Sequence, residues 1–111
     1  MENEQIQKCI EACLKAMVAC EHCSAHDLMD EGENAEQMKR CIRINRDCAD
    51  VCSLTARLLA RHSEHGMHLM KECMELCEKC AQECEQHEHQ HCKECAAACR
   101  ACLEECRKMT V

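Results

Sequence analysis

The chain has 111 residues, with no Pro, Phe, Tyr or Trp, two Gly, and 21 acidic against 14 basic side chains, giving a net charge of −7. This length suits a single domain over 1–111, the shortage of Gly and Pro disfavours sheet architectures, and the acidic balance excludes the basic face that a nucleic-acid partner requires. No apolar run reaches the roughly 20 residues of a membrane span, and Met1-Glu-Asn-Glu-Gln5 does not open a signal peptide, so a soluble cytoplasmic protein without a membrane partner is expected.

Four helices are predicted. The first runs from about Glu4 to Leu28 with Asn3 as its N-cap, and it carries Cys9, Cys13, Cys20 and Cys23 at steps of 4, 7 and 3. The polar connector Asp30-Glu-Gly-Glu-Asn34 follows. Asn34 with Gln37 resembles a capping box, so the second helix starts there and continues to about Arg61. It carries Cys41, Cys48 and Cys52 at steps of 7 and 4. Ser63 is expected to cap the third helix, whose first turn Gly66 weakens and which reaches about Glu85. Cys73, Cys77, Cys80 and Cys84 lie along it at steps of 4, 3 and 4. The segment His87-Glu-His-Gln-His91 makes the last connection. The fourth helix, about His91 to Met109, bears Cys92, Cys95, Cys99, Cys102 and Cys106 at steps of 3, 4, 3 and 4. Long segments joined by short connectors predict an all-α fold, an antiparallel up-down-up-down four-helix bundle.

Composition alone conflicts with that prediction. Hydrophobic residues make up 47% of the chain, but 16 of them are Cys, 13 are Ala and 8 are Met, leaving only fifteen Leu, Ile and Val. A charged chain with less than about 20% of such residues tends to disorder. Spacing resolves the conflict. Steps of 3, 4 and 7 put the cysteines on one face of each helix, in the positions that Leu and Ile fill in an ordinary bundle seam. Sixteen thiols are therefore expected to face the bundle axis.

Three explanations compete for so many core thiols. Free cysteine packs as a small hydrophobe, but sixteen together bury much less apolar area than leucines would. A disulfide-stapled interaction module needs an oxidising compartment, and neighbouring cysteines on one helix project in parallel, which suits bridge geometry badly. Metal binding fits better. Cys20-Glu-His-Cys23, Cys77-Glu-Lys-Cys80, Cys92-Lys-Glu-Cys95 and Cys99-Arg-Ala-Cys102 are all Cys-x-x-Cys motifs lining the same core. Thiolates are soft donors that select Cu(I), Zn(II) or iron–sulfur clusters. Zinc wants separated tetrahedral sites and iron–sulfur clusters want grouped cysteines beside a loop, whereas Cu(I) suits a continuous ladder with bridging thiolates. One monovalent ion per thiolate also neutralises a core that could not hold sixteen bare anions. The expected cofactor is therefore Cu(I), multiple ions per chain. A zinc- or redox-buffering thiol protein is the alternative. The chain has no His-Glu-x-x-His, no Gly-rich phosphate loop and no nucleophile set apart from its neighbours, so no catalysis is expected.

The chain resembles the bacterial copper storage proteins, cytosolic branch. The resemblance is carried by Cys-Ile-Glu-Ala-Cys at 9–13, Cys-Ala-Asp-Val-Cys at 48–52 and His87-x-His89-x-His91-Cys92. It implies a four-helix bundle, a homotetramer in the family, that fills its core with Cu(I) for storage and detoxification, with a copper chaperone as a candidate partner. The ladder of the first helix skips a step at Ala16, which bears on capacity.

Antiparallel topology gathers His22, His26, Met38, His87, His89 and His91 at one end of the bundle. Imidazole and thioether bind Cu(I) less tightly than thiolate, which suits a port. His22, His87, His89, His91 and Met38 therefore join the sixteen cysteines as candidate ligands, while His26, His62, His65 and His68 are left open between ligand and solvated surface. At the other end Ile6, Leu59, Met70 and Met109 are expected to form an apolar plug. Leu14, Leu54, Leu58, Leu76 and Leu103 lie off the cysteine ladder, in helix seams or in a subunit contact.

Overall fold

The computed structural model describes residues 2–29 and 35–109. Its elements are α1 (Glu2–Met29), α2 (Ala35–Ala60), α3 (Gly66–Cys84) and α4 (Gln90–Met109), with no strand among the described residues. The helices are rich in Ala, Glu, Lys, Met and Leu, residues that lose little freedom on entering a helix, and Gly66 is their only glycine. The connectors at 30–34, 61–65 and 85–89 are too short to cross the bundle, so consecutive helices run antiparallel. α1 packs on α2 and α4, and α3 packs on the same two, in a square array 48 Å long and 18 by 17 Å across. This is the expected up-down-up-down bundle.

Two expected caps fall elsewhere. Asn3 sits inside the first turn of α1, which begins at Glu2, and α3 begins at Gly66 with His65, not Ser63, at its N-cap. The reason lies in how α2 ends. The Ser63 N–H donates to the Leu58 carbonyl at 3.0 Å and the His62 N–H to the Leu59 carbonyl at 3.2 Å. His62 between them adopts a φ of 55°. These are the bonds of a Schellman motif, so Ser63 belongs to the end of α2. Its Oγ accepts the His65 N–H at 3.1 Å, and its carbonyl accepts the Gly66 N–H at 3.1 Å. A Cβ on Gly66 would lie 3.2 Å from Leu59 Cδ2, so glycine lets α3 start close against α2. The expected cap at Asn34 lies outside the described residues. α4 starts at Gln90, one residue before the expected His91.

All sixteen cysteines are fully buried. Ala16, Ala49, Ala56, Ala81 and Ala96 fill the gaps between them. Met70 and Leu59 are buried at the end bearing the 61–65 connector, with Ile6 and Met109 half-buried against the core, as the expected plug requires. Leu58 and Leu103 are buried in the seams and Leu76 is half-buried, while Leu14 and Leu54 face solvent.

Candidate metal centre

The 3/4 spacing on four facing helices brings sulfurs into contact across the axis as well as along it. Near the plug, Cys13 Sγ lies 4.0 Å from Cys73 and 3.7 Å from Cys102. Cys52 lies 3.6 Å from Cys73 and 3.8 Å from Cys77, and Cys48 is 3.8 Å from both Cys52 and Cys77. Further along, Cys20 lies 3.8 Å from Cys80 and 3.7 Å from Cys95 and from Cys99. Cys23 and Cys92 meet at 3.8 Å. All are free thiols. Metal–sulfur bonds of about 2.3 Å around a trigonal ion put its sulfurs about 4 Å apart, close to these separations.

The sulfurs form overlapping groups. Cys13, Cys73, Cys102 and Cys106 have their sulfurs within 4.8 Å of one another, as do Cys52, Cys73, Cys77 and Cys102. Cys20, Cys80, Cys95 and Cys99 make another such group, and Cys23, Cys84 and Cys95 a further one. Cys73 and Cys102 each serve two groups, as Cys95 does, so the donors are continuous and not parcelled into isolated tetrahedra. Contact with Cys102 and with Cys48, Cys52 and Cys73, together with burial, pushes the Cys77 thiol above its ordinary range. Contact with Cys20 and its neighbours, with burial, does the same to Cys80. A sulfur held protonated in this way gives up its proton when a cation replaces it.

Two buried polar side chains belong to the same lattice, and sequence reasoning missed both. Asn45 is fully buried. Its Oδ1 accepts from Cys80 at 3.1 Å, Cys95 at 3.5 Å and Cys84 at 3.6 Å, while its Nδ2 donates to Cys41 Sγ at 3.5 Å. Asp27, 2% exposed, groups with Cys23, Cys41 and Cys92. Burial pushes its carboxyl up, against the opposing contact with Cys41. The available signal was positional. Asn45 stands four residues after Cys41, and Asp27 four after Cys23, on the rungs where the next thiol would fall.

The histidine end is sorted by the start of α4. His91 Nδ1 lies 3.3 Å from Cys23 Sγ, 3.5 Å from Cys92 Sγ and 3.7 Å from Asp27 Oδ1. His89 stacks on the His91 ring at 5.2 Å between centroids, His26 also stacks on His91 at 5.1 Å, and His22 meets His26 at 4.4 Å. His87 is separate from this row, buried and with Nε2 2.8 Å from Glu83 Oε2. Met38 is buried near the start of α2. At the far end the Gln5 amide donates to the Glu105 carbonyl and to its Oε1, both at 3.0 Å, beside Cys9 Sγ, which donates to the same carbonyl at 3.2 Å. His62, His65 and His68 are exposed there.

The copper storage protein (Csp) family model matches residues 2–111. The chain belongs to the copper storage protein family. Among solved members, the Cu(I)-bound copper storage protein BsCsp3 of Bacillus is 37% identical, with 96% of this chain and 99% of that one covered at a TM-score of 0.90. A cytosolic copper storage protein of Streptomyces lividans, determined during copper loading with five coppers, is 36% identical over 96% of this chain and 92% of its own, at a TM-score of 0.88. The uncharacterized cysteine-rich protein YhjQ of Bacillus subtilis is 39% identical over 86 residues, 78% of each chain. The expected family and bundle are both borne out.

Proposed function

We propose that this chain stores Cu(I) in the cytosol, many ions to each bundle, as a reservoir and a means of detoxification. The observation that carries this reading is the continuity of the sulfur lattice, in which cysteines such as Cys73 and Cys95 belong to more than one donor group. Bridging thiolates suit a soft monovalent ion, and each ion has another donor within about one helical turn. Cys9, Cys13, Cys20, Cys23, Cys41, Cys48, Cys52, Cys73, Cys77, Cys80, Cys84, Cys92, Cys95, Cys99, Cys102 and Cys106 are the proposed ligands. His91, with Nδ1 against Cys23 and Cys92, is the donor that passes ions to the sulfurs, with His22, His87, His89 and Met38 around the port. Asn45 and Asp27 offer oxygen to ions held beside them. The protein acts without catalysis, as one domain, assembles as a homotetramer and exchanges its ions with a copper chaperone, with no nucleic-acid or membrane partner.

Anaerobic titration of the reduced protein against a competing Cu(I) chelator tests this. Saturation near one ion per thiol supports storage. Saturation at about two to four ions, the number that separated four-thiolate sites could hold, would favour the zinc- or redox-buffering alternative.

A further inference from the structure

The row of imidazoles outside the sulfur core has chemistry of its own. His22 and His26 stand one turn apart on α1, both exposed, with ring centroids 4.4 Å apart. A pair of histidines at i and i+4 is the helix spacing that chelates a borderline divalent ion. The His91 ring, from α4, stacks on His26 at 5.1 Å and steadies the pair, its own nitrogens lying in a near-parallel plane. Glu94 lines the same 440 Å³ groove as His22 and His91, so a carboxylate stands at hand. Neutral nitrogen with carboxylate oxygen and water is the donor set of Zn(II)-class ions, whereas the soft monovalent ion goes to sulfur.

We propose that His22 and His26, completed by Glu94 and water, form an outer site for one divalent Zn(II)-class cation, separate from the thiolate store. The bundle then presents two donor sets in succession, exposed nitrogen and oxygen followed by buried sulfur, and they sort ions by softness. The outer site does not require the core to hold Cu(I), although measuring it cleanly rests on the storage reading. Zn(II) is the suitable probe because it has no redox chemistry with the thiols.

The test has two stages. Cu(I) capacity is measured first, and a low value there counts against storage alone. Zn(II) is then titrated calorimetrically into the Cu(I)-saturated chain, whose thiols are occupied, and into the reduced metal-free chain. One Zn(II) per chain on the saturated protein is expected. His26→Ala should weaken it at least about tenfold, the loss that even an outer-sphere partner of a metal ligand can bring. His26 is exposed, so the variant should match the parent in thermal melting. His22→Ala should give the same loss. In the metal-free chain the outer site appears as the difference in Zn(II) stoichiometry between parent and His26→Ala, which holds whatever the core binds. Absence of Zn(II) uptake by the saturated protein, or uptake indifferent to both substitutions, would overturn the proposal.

Discussion

At the scale of single residues, the sulfur ladder is defined as much by its two polar interruptions as by its thiols. Asn45 satisfies three thiols with one oxygen and donates to a fourth sulfur, so truncating it strips partners from a dry region and leaves a hole. Asn45→Ala should destabilise the reduced metal-free protein by about 2 kcal/mol, read as a lowered urea midpoint with unchanged slope. The histidines divide in the same way. The triple change His87→Ala, His89→Ala and His91→Ala should slow Cu(I) uptake and its removal by chelator, with capacity nearly that of the parent. His91→Ala alone should reproduce most of the slowing, about tenfold, because its ring touches Cys23 and Cys92 while His87 turns to Glu83. Equal rates for the His91 variant and the parent would place the port elsewhere. Asn45 and Asp27 left only a positional trace, four residues after Cys41 and Cys23, and the division among the histidines left none. Asn, Asp and His carry the same letters on a wet face as in a core, and alternation at 87, 89 and 91 says nothing of direction where His87 and His89 precede α4 and His91 lies within it.

At the scale of elements, the helices were legible because one side chain repeats with the period of the helix. Sixteen copies of cysteine at steps of 3, 4 and 7 mark a face that fifteen Leu, Ile and Val could not have drawn. The corner between α2 and α3 was not legible, because its left-handed residue is His62 where glycine is the usual signal. That choice costs about 1 kcal/mol of backbone strain. His62→Gly, exposed and left-handed, should therefore raise the urea midpoint by a corresponding amount and leave copper capacity as it was. A fall in stability would show that the His62 side chain contributes more than its backbone loses. On α4, Arg100 reaches Glu85 at 2.9 Å and also pairs with Glu78, a surface tie between α3 and α4 that salt should weaken.

At the scale of the whole molecule, the core is built around exchange. With sulfurs such as Cys77 and Cys80 held protonated above the ordinary thiol range, loading near neutral pH should release about one proton for each thiolate engaged. In a weakly buffered anaerobic titration a pH indicator should drift acid until saturation and then stop. The sign for retention follows. Acid returns protons to the sulfurs, so a chelator should strip copper faster as pH falls. A titration with no proton release would mean that the thiols were already ionised, contrary to burial raising them.

That burial carries a consequence for anything outside that must sense the contents. Each thiol surrenders a proton for a monovalent ion, a swap of one positive charge for another. The chain should therefore keep its −7 whether empty or full. Isoelectric focusing of unfilled and filled protein should give the same band position, with half-filled protein, whose ions each engage more than one thiolate, focusing at a more acid one. The reservoir is electrically alike at its two extremes, its field at a distance the same when empty as when full. A partner that gives or takes copper cannot tell those two states apart by charge; it must touch the proposed mouth, where His91 meets Cys23, to learn whether there is room.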